Sequence, residues 1–173
     1  MAIIKSLRGK TPVLGQDCFL AENAVIIGDA TIGDNCSVWF GAVIRGDVNY
    51  IKIGNNVNIQ DNAIIHGTFE KSATNIGNNV SIAHGAIVHG CTIHDNVLIG
   101  RSAVVLHDAV IHSNSIIAAG AVVTKGTVVD SGTVFGGSPA RKIKDISIDL
   151  IEGEINRIAS NYHTYSSWYK EEI

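Results

Sequence analysis

An apolar residue recurs at every sixth position through most of this chain. From Leu14 to Val123 every counted position is Leu, Ile or Val, although the count restarts three times. The counted positions are Leu14, Leu20, Ile26, Ile32, Val38, Ile44, Ile53, Ile59, Ile65, Ile76, Ile82, Val88, Ile93, Ile99, Val105, Ile111, Ile117 and Val123. An α-helix repeats at three or four and a strand at two, so neither explains this period. The period predicts a short strand, a corner and another short strand, with three hexads closing a triangular coil.

Stacked coils of this kind form a parallel β-helix, an all-β solenoid in which each counted residue points inward. The corners agree with this interpretation, because "GDN" (33–35), "GNN" (54–56), "GNN" (77–79) and "HDN" (94–96) follow successive first-corner residues. Glycine and asparagine tolerate the positive φ that tight turns require. We expect the β-helix to cover about residues 13–136.

The C-terminal segment has a different period. From Leu150 to Tyr169 apolar residues recur at spacings of three and four, which predicts an amphipathic α-helix. Ser147 is placed to act as its N-cap, so the helix is expected over about 147–171, packed along one face of the solenoid. The whole chain, 1–173, is expected to form one domain.

Composition narrows the range of partners. The net charge of −3 and the lack of a Lys/Arg run argue against nucleic acid. No apolar run is long enough to span a bilayer, and "MAIIKSLRGK" lacks the features of a signal peptide. The three cysteines, Cys18, Cys36 and Cys91, show no pairing pattern and are interpreted as small buried thiols. A cytoplasmic protein is therefore expected.

The sixfold register assigns polar residues to corners. Arg45, His66 and His89 each follow a third-corner residue, so they should stack on consecutive rungs about 4.8 Å apart. All three restarts of the count fall after third-corner residues, so the extra loops should surround this column. Loops on a rigid scaffold often carry function.

A second column is predicted at the second corner, where His84 should lie above Asp61 with Gln60 beside them. His66 and His89, on neighbouring rungs, could bind one metal ion. His84 lies a face away and could complete that site only from a second chain, as in a cyclic trimer with three equivalent interfaces. On spacing alone, solvated corner histidines remain the alternative. We adopt that alternative for the four other histidines, His94, His107, His112 and His163.

Several motifs resemble those of the γ-class carbonic anhydrases. They are "VIRGD" (43–47), "NIQD" (58–61), "IIHG" (64–67), "HGAIVHGC" (84–91) and the helix segment "NYHTYSSWY" (161–169). The resemblance implies a left-handed coil and a homotrimer with zinc, or else iron or cobalt, at each subunit interface. It also implies the ligand set His66 and His89 of one chain with His84 of the partner subunit.

The resemblance further implies reversible hydration of CO2 to bicarbonate, since three neutral histidines leave an open position where water ionises near neutral pH. It assigns roles to six more residues. In the pocket, Gln60 orients the reacting oxygen, Asn58 lines the wall, Asp61 holds the His84 ring in place, and Tyr162 reaches the site from the helix. At the subunit contact, Arg45 and Asp47 form a salt bridge, and Arg45 also attracts the bicarbonate anion.

Two departures from the family pattern bear on activity. The segment "GTFEKSATN" (67–75) is short and lacks the acidic proton-transfer loop of well-studied relatives. Arg101 stands where relatives often have a small or apolar residue. The alternatives therefore stay open: an acyl-CoA thioesterase or acyltransferase on the same scaffold, or a non-catalytic metal-binding assembly protein.

Overall fold

A computed structural model describes residues 1–171 as a parallel β-solenoid of about seven turns followed by a C-terminal helix. The predicted fold is therefore confirmed. The strands are β1 (Ile3–Lys5), β2 (Val13–Leu14), β3 (Phe19–Leu20), β4 (Val25–Ile32), β5 (Ser37–Val38), β6 (Val43–Ile53), β7 (Asn58–Ile59), β8 (Ile64–His66), β9 (Thr74–Ile76), β10 (Ser81–Ile82), β11 (Ile87–His89), β12 (Thr92–Ile93), β13 (Val97–Ile99), β14 (Val104–Val105), β15 (Val110–Ile111), β16 (Ser115–Ile117), β17 (Val122–Val123), β18 (Val128–Val129), β19 (Thr133–Gly137) and β20 (Ala140–Asp145).

The strands form the three faces of a triangular prism. β4 and β6 continue round one corner and join two faces into a 12-stranded sheet, while an 8-stranded sheet makes the third face. The counted residues face each other rung by rung, as Ile65 does opposite Ile44 and Val88. Nearly all are buried in one apolar column, and only Leu14 and Leu20 at the N-terminal end stay partly exposed. The residues of the sixfold count thus form the hydrophobic core of the solenoid.

The first corner is a ladder of side-chain to backbone hydrogen bonds. The carboxylate of Asp34 accepts from Gln16 N at 2.7 Å, and the amide oxygen of Asn55 accepts from Asp34 N at 2.8 Å. The next residue of each turn adopts positive φ, as at Asn35 and Asn56, both at 55°. This geometry explains why Asp and Asn recur at these positions.

One strand lies outside the expected range of about 13–136 at each end of the solenoid. β1 precedes it and pairs in parallel with β4, placing Ile4 opposite Ile26. At the other end β20 folds back antiparallel on β19. Neither strand belongs to the sixfold count, so the period could not predict them.

The C-terminal helix begins where predicted. Ser147 caps it, and its Oγ accepts a hydrogen bond from Leu150 N at 3.3 Å. The helix has three parts, α1 (Ile148–Leu150), a π-helical segment (Ile151–Asn156) and α2 (Arg157–Glu171), and the sequence did not predict the π-helical segment. No helix within residues 1–171 is long and apolar enough to cross a membrane.

The cysteines follow the prediction in two cases of three. Cys36 and Cys91 are buried, and burial raises the pKa of the Cys91 thiol to about 12. Cys18 is only partly buried, because it lies near the open N-terminal end of the core. All three thiols are free.

Candidate metal centre

Arg45, His66 and His89 stack on consecutive rungs of one sheet. Strand pairing places Arg45 opposite His66 and His66 opposite His89, as the sequence predicted. The Nδ1 atom of His66 lies 3.2 Å from Nε2 of His89. Two adjacent turns therefore bring two imidazole nitrogens together at the third corner.

Asp47 orients the first of these rings. Its Oδ1 lies 2.9 Å from Nε2 of His66, while its Oδ2 accepts from the Arg45 guanidinium. Burial opposes ionisation of Asp47, but the hydrogen bonds from His66 and Arg45 hold the pKa of this carboxyl below its usual value. His66 therefore carries its proton on Nε2, and the lone pair on Nδ1 faces His89. Arg45 and Asp47, which the resemblance assigns to a subunit contact, bond to each other within one chain.

His89 is kept uncharged by its surroundings. Burial lowers its pKa, and the nearby charges of His66 and His107 lower it further. A neutral imidazole is the form that binds a metal.

His107, interpreted from the sequence as a solvated corner residue, is half-buried and lies close to Gly90 of the neighbouring turn. A Cβ added at Gly90, which has φ of 61°, would lie 3.0 Å from the Cβ of His107 and 2.9 Å from that of Ser72. A one-residue shortening of the turn before Ile93 brings His107 beneath Gly90. That missing residue was the available signal in the sequence.

The second corner holds His84, again with an acidic partner. Its Nδ1 lies 2.8 Å from Oδ2 of Asp61, and its Nε2 lies 3.2 Å from the hydroxyl oxygen of Tyr162 on α2. Burial raises the pKa of Tyr162 to about 12, so this phenol stays protonated and donates to Nε2 at neutral pH. Asp61 accepts a hydrogen bond from Nδ1–H, and the lone pair of His84 is on Nε2.

A buried chain of amides extends from His84. The side-chain oxygen of Gln60 accepts from His84 N at 3.2 Å, and its Nε2 donates to Asn58 Oδ1 at 2.9 Å. Asn58 in turn donates to Ser81 Oγ at 2.7 Å, a partner that the sequence analysis did not single out. Gln60 and Asn58 are each 3% exposed, so the chain holds the Gln60 amide in one orientation.

The spacing of His66 and His89 fits two ligands of one metal ion. Two nitrogens, each about 2.0–2.1 Å from a tetrahedral zinc, would lie about 3.3 Å apart. The observed separation is 3.2 Å. Among the side chains that the structure describes in residues 1–170 of a single chain, no three His, Cys, Asp or Glu converge on one metal position. His84 contacts residues of its own corner and of α2, not the other two histidines.

The remaining sequence features lie apart from this pair. Glu70 is exposed at the tip of the 67–75 turn, with φ of 51°. His94 and His112 stack on each other at the first corner, with ring centroids 5.0 Å apart and planes 9° from parallel. His163 is exposed on α2.

Comparison with known proteins places the chain among hexapeptide-repeat proteins. The family described as "Bacterial transferase hexapeptide (six repeats)" matches residues 11–46 and 90–125. The crystal structure of a hexapeptide transferase family protein from Anaplasma phagocytophilum superposes with a TM-score of 0.92 at 37% identity. The superposition covers 96% of this chain and 98% of the Anaplasma chain.

Two curated relatives are similar over shorter stretches. Gamma carbonic anhydrase 2, a mitochondrial protein of Arabidopsis thaliana, is 49% identical over 57 residues, which are 33% of this chain and 20% of that protein. A carbonic anhydrase of Geobacillus kaustophilus is 50% identical over 64 residues, which are 37% of this chain and 35% of that protein. The matched segment thus spans well under half of either relative.

Proposed function

The chain belongs to the hexapeptide transferase family and shares part of its sequence with γ-class carbonic anhydrases, and on that premise we propose that it hydrates CO2 reversibly to bicarbonate. The site requires a metal ion at each interface of a homotrimer. The observation that carries this proposal is the 3.2 Å separation of His66 Nδ1 and His89 Nε2, the spacing expected of two ligands of one metal ion.

Three imidazole nitrogens would hold the metal: His66 Nδ1 and His89 Nε2 of one chain, and Nε2 of His84 from the partner subunit. Zinc suits this donor set, and iron or cobalt would also accept it. When bound, the metal supplies Lewis acidity that lowers the pKa of water to near neutrality. Because all three donors are neutral, they leave its full positive charge in place.

Two carboxylates orient the donor rings. Asp61 accepts a hydrogen bond from Nδ1–H of His84, and Asp47 accepts one from Nε2–H of His66. Each carboxylate selects the tautomer whose free lone pair would face the metal and makes that nitrogen more basic. Arg45 balances the charge of Asp47 and stays partly exposed, where it can attract the bicarbonate anion.

Gln60 is suited to position the substrate. One N–H of its amide is used by Asn58 and its oxygen by His84 N, which leaves a second N–H for a substrate oxygen. Because the amide chain is buried, this donor is already oriented before substrate arrives. Tyr162, with its hydroxyl at His84, closes the helix side of the same site.

The test is stopped-flow CO2 hydration by the metal-reconstituted protein, alongside hydrolysis of a panel of acyl-CoA thioesters. We expect CO2 hydration that is lost in His84→Ala and retained in His94→Ala, a matched change at another corner. Thioester hydrolysis without CO2 hydration would overturn the proposal. Equal activity of the two histidine variants would show that His84 is not part of the site.

Acyl transfer or thioester hydrolysis is the second candidate, favoured by the transferase named among the solved structures. The His84–Asp61 pair at 2.8 Å has the geometry of a general base with its orienting carboxylate. In this function His84 would act without His66 and His89. Thioester turnover that survives His66→Ala but not His84→Ala would establish it.

A further inference from the structure

A cavity of about 400 Å³ lies between the solenoid and the C-terminal helix, directly beside Gln60 and Tyr162. Its walls combine polar and apolar surface in about equal measure, and the apolar part includes Leu98, Ile116 and Ile158. The volume is typical of sites for small organic ligands, whereas CO2 and bicarbonate have no carbon chain to fill it. The proposed hydration reaction therefore does not explain this cavity.

Arg101 stands where this cavity meets the second-corner column. Ile82 pairs with Ile99, so two residues further on Arg101 lies one rung beyond His84, and Ser102 N donates to His84 O at 2.9 Å. The Arg101 side chain is exposed in the single chain, and among the side chains of residues 1–170 no carboxylate lies within 4.0 Å of its guanidinium.

The second arginine at this cavity has other partners. Arg157 lies 3.4 Å from the Glu154 carboxylate, and its Nε donates to Gly153 O at 2.6 Å. The Glu154 carboxylate also lines the cavity, but it faces Arg157, so the cavity combines one guanidinium without a carboxylate partner with an aliphatic patch. A guanidinium binds a carboxylate through two parallel hydrogen bonds, and the apolar wall excludes water from the rest of the ligand.

We propose that this cavity binds a short-chain organic carboxylate. Its carboxylate lies on Arg101 beside His84, and its carbon chain packs on Leu98, Ile116 and Ile158. The binding itself stands on the cavity and on Arg101. That the bound carboxylate also hinders bicarbonate at the neighbouring site rests on the proposed function.

The experiment is calorimetric titration of the full-length protein, metal-loaded and metal-stripped, with sodium butyrate, sodium acetate and butyramide. Butyrate should bind both forms and bind more tightly than acetate, while neutral butyramide should not bind. Arg101→Met should weaken butyrate binding by about tenfold or more, since it removes a charge-assisted contact. Arg8→Gln, which removes a positive charge outside the cavity, should leave binding unchanged.

A second variant tests the apolar wall. Ala118→Phe should fill the cavity from the solenoid side and abolish the preference of butyrate over acetate while Arg101 remains. Butyrate binding only to the metal-loaded form, or unchanged in Arg101→Met, would overturn the proposal. Absence of CO2 hydration in a protein that still binds butyrate through Arg101 would contradict the proposed function alone.

Discussion

The Nδ1 atom of His84 lies 2.8 Å from Oδ2 of Asp61 on the adjacent rung of the solenoid. This contact leaves the lone pair of His84 on Nε2, where it accepts a hydrogen bond from the Tyr162 hydroxyl. The same device recurs at His66, whose Nε2 lies 2.9 Å from Asp47, so that Nδ1 is free. In both cases a carboxylate one turn away decides which nitrogen could bind a metal.

Replacing the carboxylate of Asp61 should weaken metal binding without unfolding the protein. Asp61→Asn offers His84 an amide and no longer favours the tautomer with Nε2 free. We expect metal affinity to fall by about 10–100-fold, measured by competition with a chelator. Asp29→Asn, which removes a surface carboxylate paired with Lys10, is the matched control and should have no effect. Unchanged affinity in Asp61→Asn would contradict the orienting role.

Mixing two inactive variants should restore part of the metal binding. His84→Ala and His66→Ala chains each lack one ligand at every interface of their own trimers. In randomly mixed trimers about a quarter of the interfaces would combine an intact His66–His89 pair with an intact His84. Metal content after mixing and refolding should rise to about that fraction. Mixed trimers that bind no metal would count against a shared site.

Removing the hydroxyl of Tyr162 should strengthen metal binding. This hydroxyl donates to His84 Nε2, the nitrogen that would face the metal, and so competes with it. Tyr162→Phe should raise metal affinity by a few-fold, the size of one net hydrogen bond. The ring of Tyr165 packs 5.5 Å from that of Tyr162, so Tyr165→Phe is the control for the general effect of losing a tyrosine hydroxyl on this helix. A fall in affinity in Tyr162→Phe would indicate that the tyrosine supports the metal instead.

Truncating a core residue of the sixfold count should be far more costly than truncating a neighbour outside it. Ile111 is fully buried, so Ile111→Ala should lower the free energy of unfolding by about 2–5 kcal/mol. Val128, on the next rung, is 54% exposed, and Val128→Ala should change the free energy of unfolding by less than about 1 kcal/mol. Urea unfolding of the two variants measures the difference. Similar losses would mean that the counted column is not the core.

The metal-free protein should lose stability in mild acid partly through His89. Burial, then the charges of His66 and His107, lowers its pKa in the folded state from the reference value of 6.5. The unfolded chain therefore takes up the proton first, and the free energy of unfolding falls as the pH drops through 6.5 towards the folded-state pKa. Between about pH 8 and about pH 5.5 the loss should be smaller in His89→Gln than in the wild type. An equal loss in both would exclude this contribution.

The solenoid and the two histidine columns could be predicted because both follow from the sixfold period of apolar residues along the chain. Each turn is eighteen residues long unless the chain adds or removes a few, so the position of Val88 in the count places it opposite Ile65. The position of a polar residue relative to its counted neighbour then decides its corner and rung. The stacking of His66 with His89 and of Asp61 with His84 followed from this arithmetic.

Features without a period could not be predicted in this way. β1 and the π-helical segment Ile151–Asn156 lie outside the count, and their conformations depend on where they pack. His107 reaches Gly90 only because one turn is a residue short. The contact of the Tyr162 hydroxyl with His84 likewise depends on how α2 lies against the solenoid.

The amino-acid sequence by itself determined the coil, its core and the corner of each candidate ligand, because apolar burial repeats along the chain and sets the register. Only the tertiary structure decided which nitrogen of His66 and of His84 faces a carboxylate, how the amides of Gln60 and Asn58 are oriented, and that Arg101 borders a cavity. These depend on distances of a few ångströms between residues far apart in sequence, which packing sets and no pattern of residues records.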